Sequence, residues 1–281
     1  MASSQSEPGS PLDLGVDLGA PSPHPVNLPQ IESLDVAVRY NSPRCGGDFF
    51  DGVVLDSRVL FLLTDIAGKR PETHAIAIEV QNVFRTRARE VFEHSDANES
   101  EGVALLARDI NRSLIEAAHG VRFAPAFLGC YNLTLNILTY HYAGHFLALF
   151  HDAEKTRVLE PCGIPLGLFT HSTYEPTVLA FDPHARLLLV TKGTTEGRQG
   201  AAIFDDERIS LLLENPTADA ASICEAVLRA ADASGDPPSS RVRDFLHPRD
   251  QKHCEDLTAV ALVRRGDTPR SAHGGAHAPE R

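Results

Sequence analysis

The chain has 281 residues, of which 42% are hydrophobic and 23% charged, and its formal net charge is −12. That length admits one large domain or two modest ones, and the acidic balance disfavours generic binding to nucleic acid or anionic lipid, whose phosphates carry the same sign. The uninterrupted apolar runs, such as Val59 to Leu63 and Leu187 to Val190, are far too short to span a bilayer, so no transmembrane segment is expected.

In chain order, residues 1–29 mix Pro, Ser and Gly with isolated aliphatics and show no sustained period, the composition of a disordered tail. The opening MASSQSEPGS has neither a basic nor an apolar stretch of the kind that directs secretion, and a cytoplasmic location is the expectation. A single domain is expected over residues 30–265. Strand character appears at Leu34 to Tyr40, Phe49 to Leu55 and Val59 to Thr64, in short runs rich in Val, Leu and Phe bounded by turn residues. Helical spacing follows twice: Ile76, Val80, Val83, Phe84 and Val91, with Pro71 suited to the first turn, and then Val103, Leu106, Ile110, Leu114 and Ala117.

Further strands are expected at Gly129 to Leu138, Tyr140 to Phe150 and Leu187 to Thr191. Two shorter helices are expected around Ile209, Leu212 and Leu213 and around Ile223, Val227 and Ala230, before a last strand at Leu257 to Val263. Runs that are apolar throughout imply strands covered on both faces. The order of strands, two helices, strands, two helices and strand is an α+β pattern, and it excludes a strict βαβ alternation. The segment 266–281, GDTPRSAHGGAHAPER, reads as a second disordered tail.

Five cysteines (Cys45, Cys130, Cys162, Cys224 and Cys254) stand singly, with no CxxC pair and an odd total, which argues against a disulfide framework or a structural zinc site. There is no GxSxG nucleophile elbow, no GxxxxGK[ST] phosphate loop and no HExxH. His141, His145 and His151 are expected along one hairpin, where spacings of four and six residues separate them by about 13 and 20 Å, too far to share an ion. The acids are more informative. Gly46-Gly47-Asp48 precedes a strand, Asp65 ends the run VLFLLTD, and Glu255-Asp256 precedes the final run LTAVALV. Carboxylates gathered at strand ends form hard oxygen sites suited to Mg²⁺ or Mn²⁺, although acids also cap strands and turns for no other reason than their affinity for water.

Six blocks, in order, resemble the SpoIIE-like branch of the bacterial PPM-type protein serine/threonine phosphatases. They are GGDFFDG (Gly46 to Gly52), TDIAGK (Thr64 to Lys69), YHYAGH (Tyr140 to His145), GIPLGL (Gly163 to Leu168), LLLVTKGTTEGR (Leu187 to Arg198) and EDLTAVAL (Glu255 to Leu262). The resemblance implies a four-layer α/β/β/α sandwich of two packed antiparallel sheets, with a binuclear Mn²⁺ or Mg²⁺ site at one end. It further implies hydrolysis of phosphoserine or phosphothreonine on a partner protein by a metal-activated water. A phosphorylated anti-sigma-factor antagonist in a bacterial signalling switch is the implied partner class.

Carried onto this sequence, Asp65 is the acid bridging both metals, Asp48 binds a metal directly or through water, and Glu255 with Asp256 occupies the position of a further acid pair. Glu255 is one methylene longer than the usual aspartate. Gly46, Gly47, Gly68 and Gly144 are backbone positions of tight turns or close approach. His145 ends the AGH turn, with either a structural hydrogen bond or metal ligation as its role. Arg44 is either a phosphate contact or an exposed turn residue. The main departure is Lys192, in Thr191-Lys192-Gly193, where the family motif has Thr-Asp-Gly. An ammonium in place of a carboxylate weakens the second metal site by charge repulsion. Lys192 then either sits among the acids as a fixed monovalent substitute that orients phosphate, or points away and leaves a one-metal site. Arg70, where the family has a small or polar residue, adds positive charge nearby. A catalytically inactive pseudophosphatase acting by binding is the alternative to the enzyme.

Overall fold

The computed structural model describes residues 28–40, 46–144, 147–152, 154–191, 206–233 and 256–266. The strands among the described residues are β1 (Leu34–Tyr40), β2 (Asp48–Leu55), β3 (Arg58–Asp65), β4 (Ala126–Asn132), β5 (Ile137–Ala143), β6 (Leu147–His151), β7 (Thr156–Val158), β8 (Thr177–Ala180), β9 (Arg186–Val190) and β10 (Thr258–Arg264). The helices among them are α1 (Arg70–Val91), α2 (Glu99–Ala117), α3 (Asp206–Glu214) and α4 (Ala220–Ala233). One sheet has the order β1-β10-β9-β6-β7 and the other β2-β3-β4-β5-β8, with every pairing antiparallel.

Alternation along the central strands builds the four layers. On β3, Leu60 and Leu62 pack into the cluster that holds Phe84 and Val80 of α1 and Leu106 and Ile110 of α2. The intervening Val59, Phe61 and Leu63 face the opposite way, into the core between the sheets. On β10, Val260 and Leu262 enter that same inter-sheet core, while Ala259, Ala261 and Val263 meet Ile209 of α3 and Val227 of α4. Successive side chains on a strand point to opposite faces. A strand covered on both faces therefore needs an unbroken apolar run, and that is the reason these segments lack polar alternation. The expected α/β/β/α sandwich is the observed architecture.

Pro71 lies in the first turn of α1, and α2 starts where the Asn98 side chain accepts the Glu101 amide hydrogen at 3.0 Å. Two expected strands are corrected. The stretch Gly129 to Leu138 breaks into β4 and β5 because Asn132 Oδ1 accepts from the amides of Thr134 and Leu135, both at 2.9 Å, and Asn136 takes φ 53°. The stretch Tyr140 to Phe150 breaks at Gly144, φ 94°, and its two halves join different sheets. His141 on β5 and His151 on β6 are thus in separate layers rather than on one hairpin, and His145 lies outside the described residues. Strands β7 and β8 were not expected. They are sheet-edge strands, largely exposed, and carry no apolar alternation. The segments read as tails, 1–29 and 266–281, fall almost wholly outside the described residues. Among the described residues no helix is long and apolar enough to cross a membrane.

Candidate active site

The antiparallel register of β2 and β3 makes Asp48, the first residue of β2, the direct partner of Asp65, the last residue of β3. Two carboxylates are thereby placed side by side at one end of their sheet. This close pairing depends on Gly47. A Cβ there would lie 1.9 Å from the Ile66 carbonyl oxygen, and the Ile66 amide donates to the Gly47 carbonyl at 3.1 Å. Backbone meets backbone at that point, and no side chain fits between. At Gly46 a Cβ would be 3.3 Å from Cγ of Asp256, so the same turn brings the start of β2 against the residue leading into β10.

Asp48 belongs to one sheet and finds its partners in the other. Its Oδ2 accepts a hydrogen bond from the Thr258 hydroxyl at 2.8 Å and another from the Thr191 hydroxyl. Thr191 follows β9 and Thr258 opens β10. The two are locked together by the Thr191 amide donating to the Thr258 carbonyl at 3.0 Å and the Thr258 amide donating to the Thr191 hydroxyl oxygen at 2.9 Å. Asp48 is 3% exposed and Asp256 7%. Burial, then the Asp65 carboxylate, push the Asp48 carboxyl well above its ordinary value. The Thr191 hydroxyl opposes the shift, the Asp256 charge adds to it, and the Thr258 hydroxyl again opposes it. Crowded, desolvated carboxylates of this kind lower their energy by taking up a proton or a cation.

Other residues singled out in the sequence take the following places. Gly68, φ 138°, lies beside Arg122: a Cβ would be 2.1 Å from its Nη1. Arg122 donates to the Ala67 carbonyl and to Glu72, each at 2.7 Å, and so ties the segment after Asp65 to α1. Gly144 packs against Pro165 and Pro125. Arg70 is the first residue of α1. Arg44, His145, Lys192 and Glu255 lie outside the described residues. Sequence reasoning missed Thr191, Thr258 and Arg122. The two threonines stood in blocks already singled out, each next to or near a candidate ligand, which was the available signal.

The donor set is right in kind for Mg²⁺ or Mn²⁺, since it consists of hard carboxylate oxygens held on rigid strand ends. Among the described residues, however, no three His, Cys, Asp or Glu side chains converge closely enough to hold one ion. Asp48, Asp65 and Asp256 by themselves do not make up such a group.

The family model for Stage II sporulation protein E (SpoIIE) matches residues 55–241. Protein IcfG of Synechocystis is 24% identical over 201 residues, which cover 64% of this chain and 32% of IcfG, so the chain spans about a third of that relative. The fold is similar to that of the RsbU and RsbW domains of a Mycobacterium tuberculosis protein (TM-score 0.61, 19% identity, 84% of this chain and 63% of that one). It is also similar to the PP2C phosphatase domain with a regulatory fragment of SpoIIE from Bacillus subtilis (TM-score 0.59, 14% identity, 84% and 63%). The serine/threonine phosphatase of S. agalactiae gives a TM-score of 0.57 at 12% identity over 83% of this chain and 99% of that one. At these identities the structural likeness is one of fold.

Proposed function

Because the chain belongs to the SpoIIE-like branch of the bacterial PPM-type serine/threonine phosphatases, we propose that it is a metal-dependent phosphatase acting on phosphoserine or phosphothreonine of a partner protein in bacterial signalling. The observation that carries this reading is the buried Asp48 carboxylate, placed against Asp65 by strand register and near Asp256 by the Gly46-Gly47 turn. In this reading Asp65 and Asp48 would hold the ions, and Asp256 with Glu255 would complete the set. A bound Mn²⁺ or Mg²⁺ would supply a water of lowered pKa and a positive charge for a phosphoryl oxygen.

The protein's own groups prepare that site. The hydroxyls of Thr191 and Thr258 hold the Asp48 carboxylate in one orientation and spare it the full cost of desolvation. Gly47 lets the two acid-bearing strands close on each other. A protein rather than a small metabolite as substrate is supported by the surface beside the acids. Val121, Phe123, Ile164, Leu168 and Phe169 are exposed there, on two segments joined by hydrogen bonds between Ala124 and Leu166. The Ala67 amide donates to the Phe123 carbonyl at 2.9 Å, which puts this apolar rim next to the segment following Asp65. A phosphorylated anti-sigma-factor antagonist is the partner class that the family suggests.

Lys192 favours a second reading, a pseudophosphatase that binds a phosphoprotein without turning it over. Hydrolysis of p-nitrophenyl phosphate by the wild type and by Asp65→Ala, with Mn²⁺, with Mg²⁺ and with chelator, separates the two. Metal-dependent turnover lost in Asp65→Ala is the result expected of the enzyme. No turnover from folded wild type, together with its appearance in Lys192→Asp, assigns the protein to the binding class.

A further inference from the structure

A cysteine and a histidine meet at the end of β5 without involving Asp48, Asp65 or Asp256. Of the cysteines in the described residues, Cys130 and Cys224 are buried and Cys162 is exposed. Cys162 sits in the segment that runs alongside the end of β5: its amide and that of Gly163 donate to the Tyr142 carbonyl at 2.9 and 3.1 Å, and Gly163 bridges Ala143. Its Sγ accepts the Tyr142 amide hydrogen at 3.1 Å. Two acceptors face the thiol proton, the Tyr142 carbonyl oxygen at 3.5 Å and Nδ1 of His141 at 3.6 Å.

His141 is built into the protein. It is 2% exposed, its ring meets Tyr174 edge-on at 5.2 Å, and a hydrogen bond to the Glu175 backbone fixes it further. A Cβ on Gly163 would lie 2.7 Å from its Cε1, so the glycine lets the cysteine segment close over the ring. Burial holds the imidazole below its ordinary value. It is therefore neutral at pH 7, with one ring nitrogen able to take a proton. The Tyr142 amide N–H is also directed at the sulfur.

We propose that Cys162 is a modification site, a thiol activated by His141 and oxidised by small peroxides of the hydrogen peroxide class. The Cys162 proton passes to His141 Nδ1, and the sulfur attacks one peroxide oxygen. The S–O bond forms as the O–O bond breaks. The departing hydroxide takes the proton from the imidazolium and leaves as water. Sulfur is oxidised by two electrons to the sulfenic acid, and the peroxide is reduced by the same two. Cys130 and Cys224, whose thiols burial pushes up to about 12, stay inert and serve as internal references.

The test uses the full chain and iodoacetamide, with the alkylation rate of each cysteine read by peptide mass spectrometry at pH 7, in buffer and in urea. Native Cys162 is expected to react roughly tenfold faster than the same residue in the unfolded chain, since thiolate is the nucleophile. His141→Asn should return it to the unfolded rate while Cys130 and Cys224 remain unlabelled. After hydrogen peroxide, a dimedone adduct should form at Cys162 and be absent in Cys162→Ser. A native rate equal to or below the unfolded one overturns the proposal. Should His141→Asn unfold the chain, shown by labelling of Cys130 and Cys224, the wild-type comparison decides alone.

Discussion

The Thr258 hydroxyl donates to Asp48 Oδ2 across 2.8 Å, and through this bond the first residue of β10 holds the first residue of β2 in the opposing sheet. The Thr191 hydroxyl reaches the same oxygen. The acid end of the sandwich is thus closed by one carboxylate and two hydroxyls.

Thr258→Val keeps the shape and removes the donor. A hydrogen bond contributes about 0.5–1.5 kcal/mol to a neutral group and about 1.5–3 kcal/mol to a charged one, so the variant should lose about 0.5–3 kcal/mol, more at pH 8 than at pH 4. Denaturant unfolding with unchanged m-value checks it. An Asn at position 48 should make the Thr258→Val change cheaper, since the charge that needs the hydroxyl is gone.

The raised Asp48 carboxyl sets a pH dependence. Folded, the group binds its proton more tightly than in the unfolded chain, so its contribution to stability is greatest at low pH. That contribution declines as pH rises above the ordinary carboxylate value near 3.8 and through the higher folded value. In chelator, the stability difference between wild type and Asp48→Asn should therefore shift against the wild type as pH rises from 4 to 8. Mn²⁺ should reverse that trend at the upper end. A pH-independent difference would show that Asp48 is not desolvated as described.

Gly47→Ala places a methyl 1.9 Å from a backbone oxygen. Backbone cannot swing aside as a side chain can, and β2 and β3 must separate at the point where Asp48 and Asp65 pair. A loss above about 3 kcal/mol is expected, at the upper end of overpacking costs, measured as a fall in unfolding midpoint or in soluble yield.

Away from the acids, Arg85 grips the fully buried Asp51 with two hydrogen bonds of 2.7 and 2.8 Å. Arg85→Ala strands that carboxylate, which costs roughly 3–5 kcal/mol for a buried pair. Asp51→Asn added to Arg85→Ala should recover part of the loss, and a double-mutant cycle reads the coupling.

Much of the fold was legible in the residues, for a physical reason. Segments such as Val59 to Leu63 and Ala259 to Val263 are apolar at consecutive positions, and only burial on both faces explains that. The amphipathic period of α1 and α2 similarly declared the face each helix covers. The misplaced boundaries at Gly129 to Leu138 and Tyr140 to Phe150 came from local turn chemistry at Asn132, Asn136 and Gly144, which a run of β-forming residues conceals. The edge strands β7 and β8 bury too little to leave a pattern.

The candidate site divides in the same way. Asp48 and Asp65 could be picked out as acids at strand ends, because the change from apolar run to carboxylate is written locally. That they are register partners, that Asp48 is buried, and that Thr258, 210 residues away, supplies its hydrogen bond are consequences of how two sheets stack. The same holds for His141 against Cys162, which meet where an irregular segment folds back along β5. Periodicity determines which face of an element is buried. Strand register and sheet packing determine which ends meet, and long-range pairing of that kind has no local residue pattern to announce it.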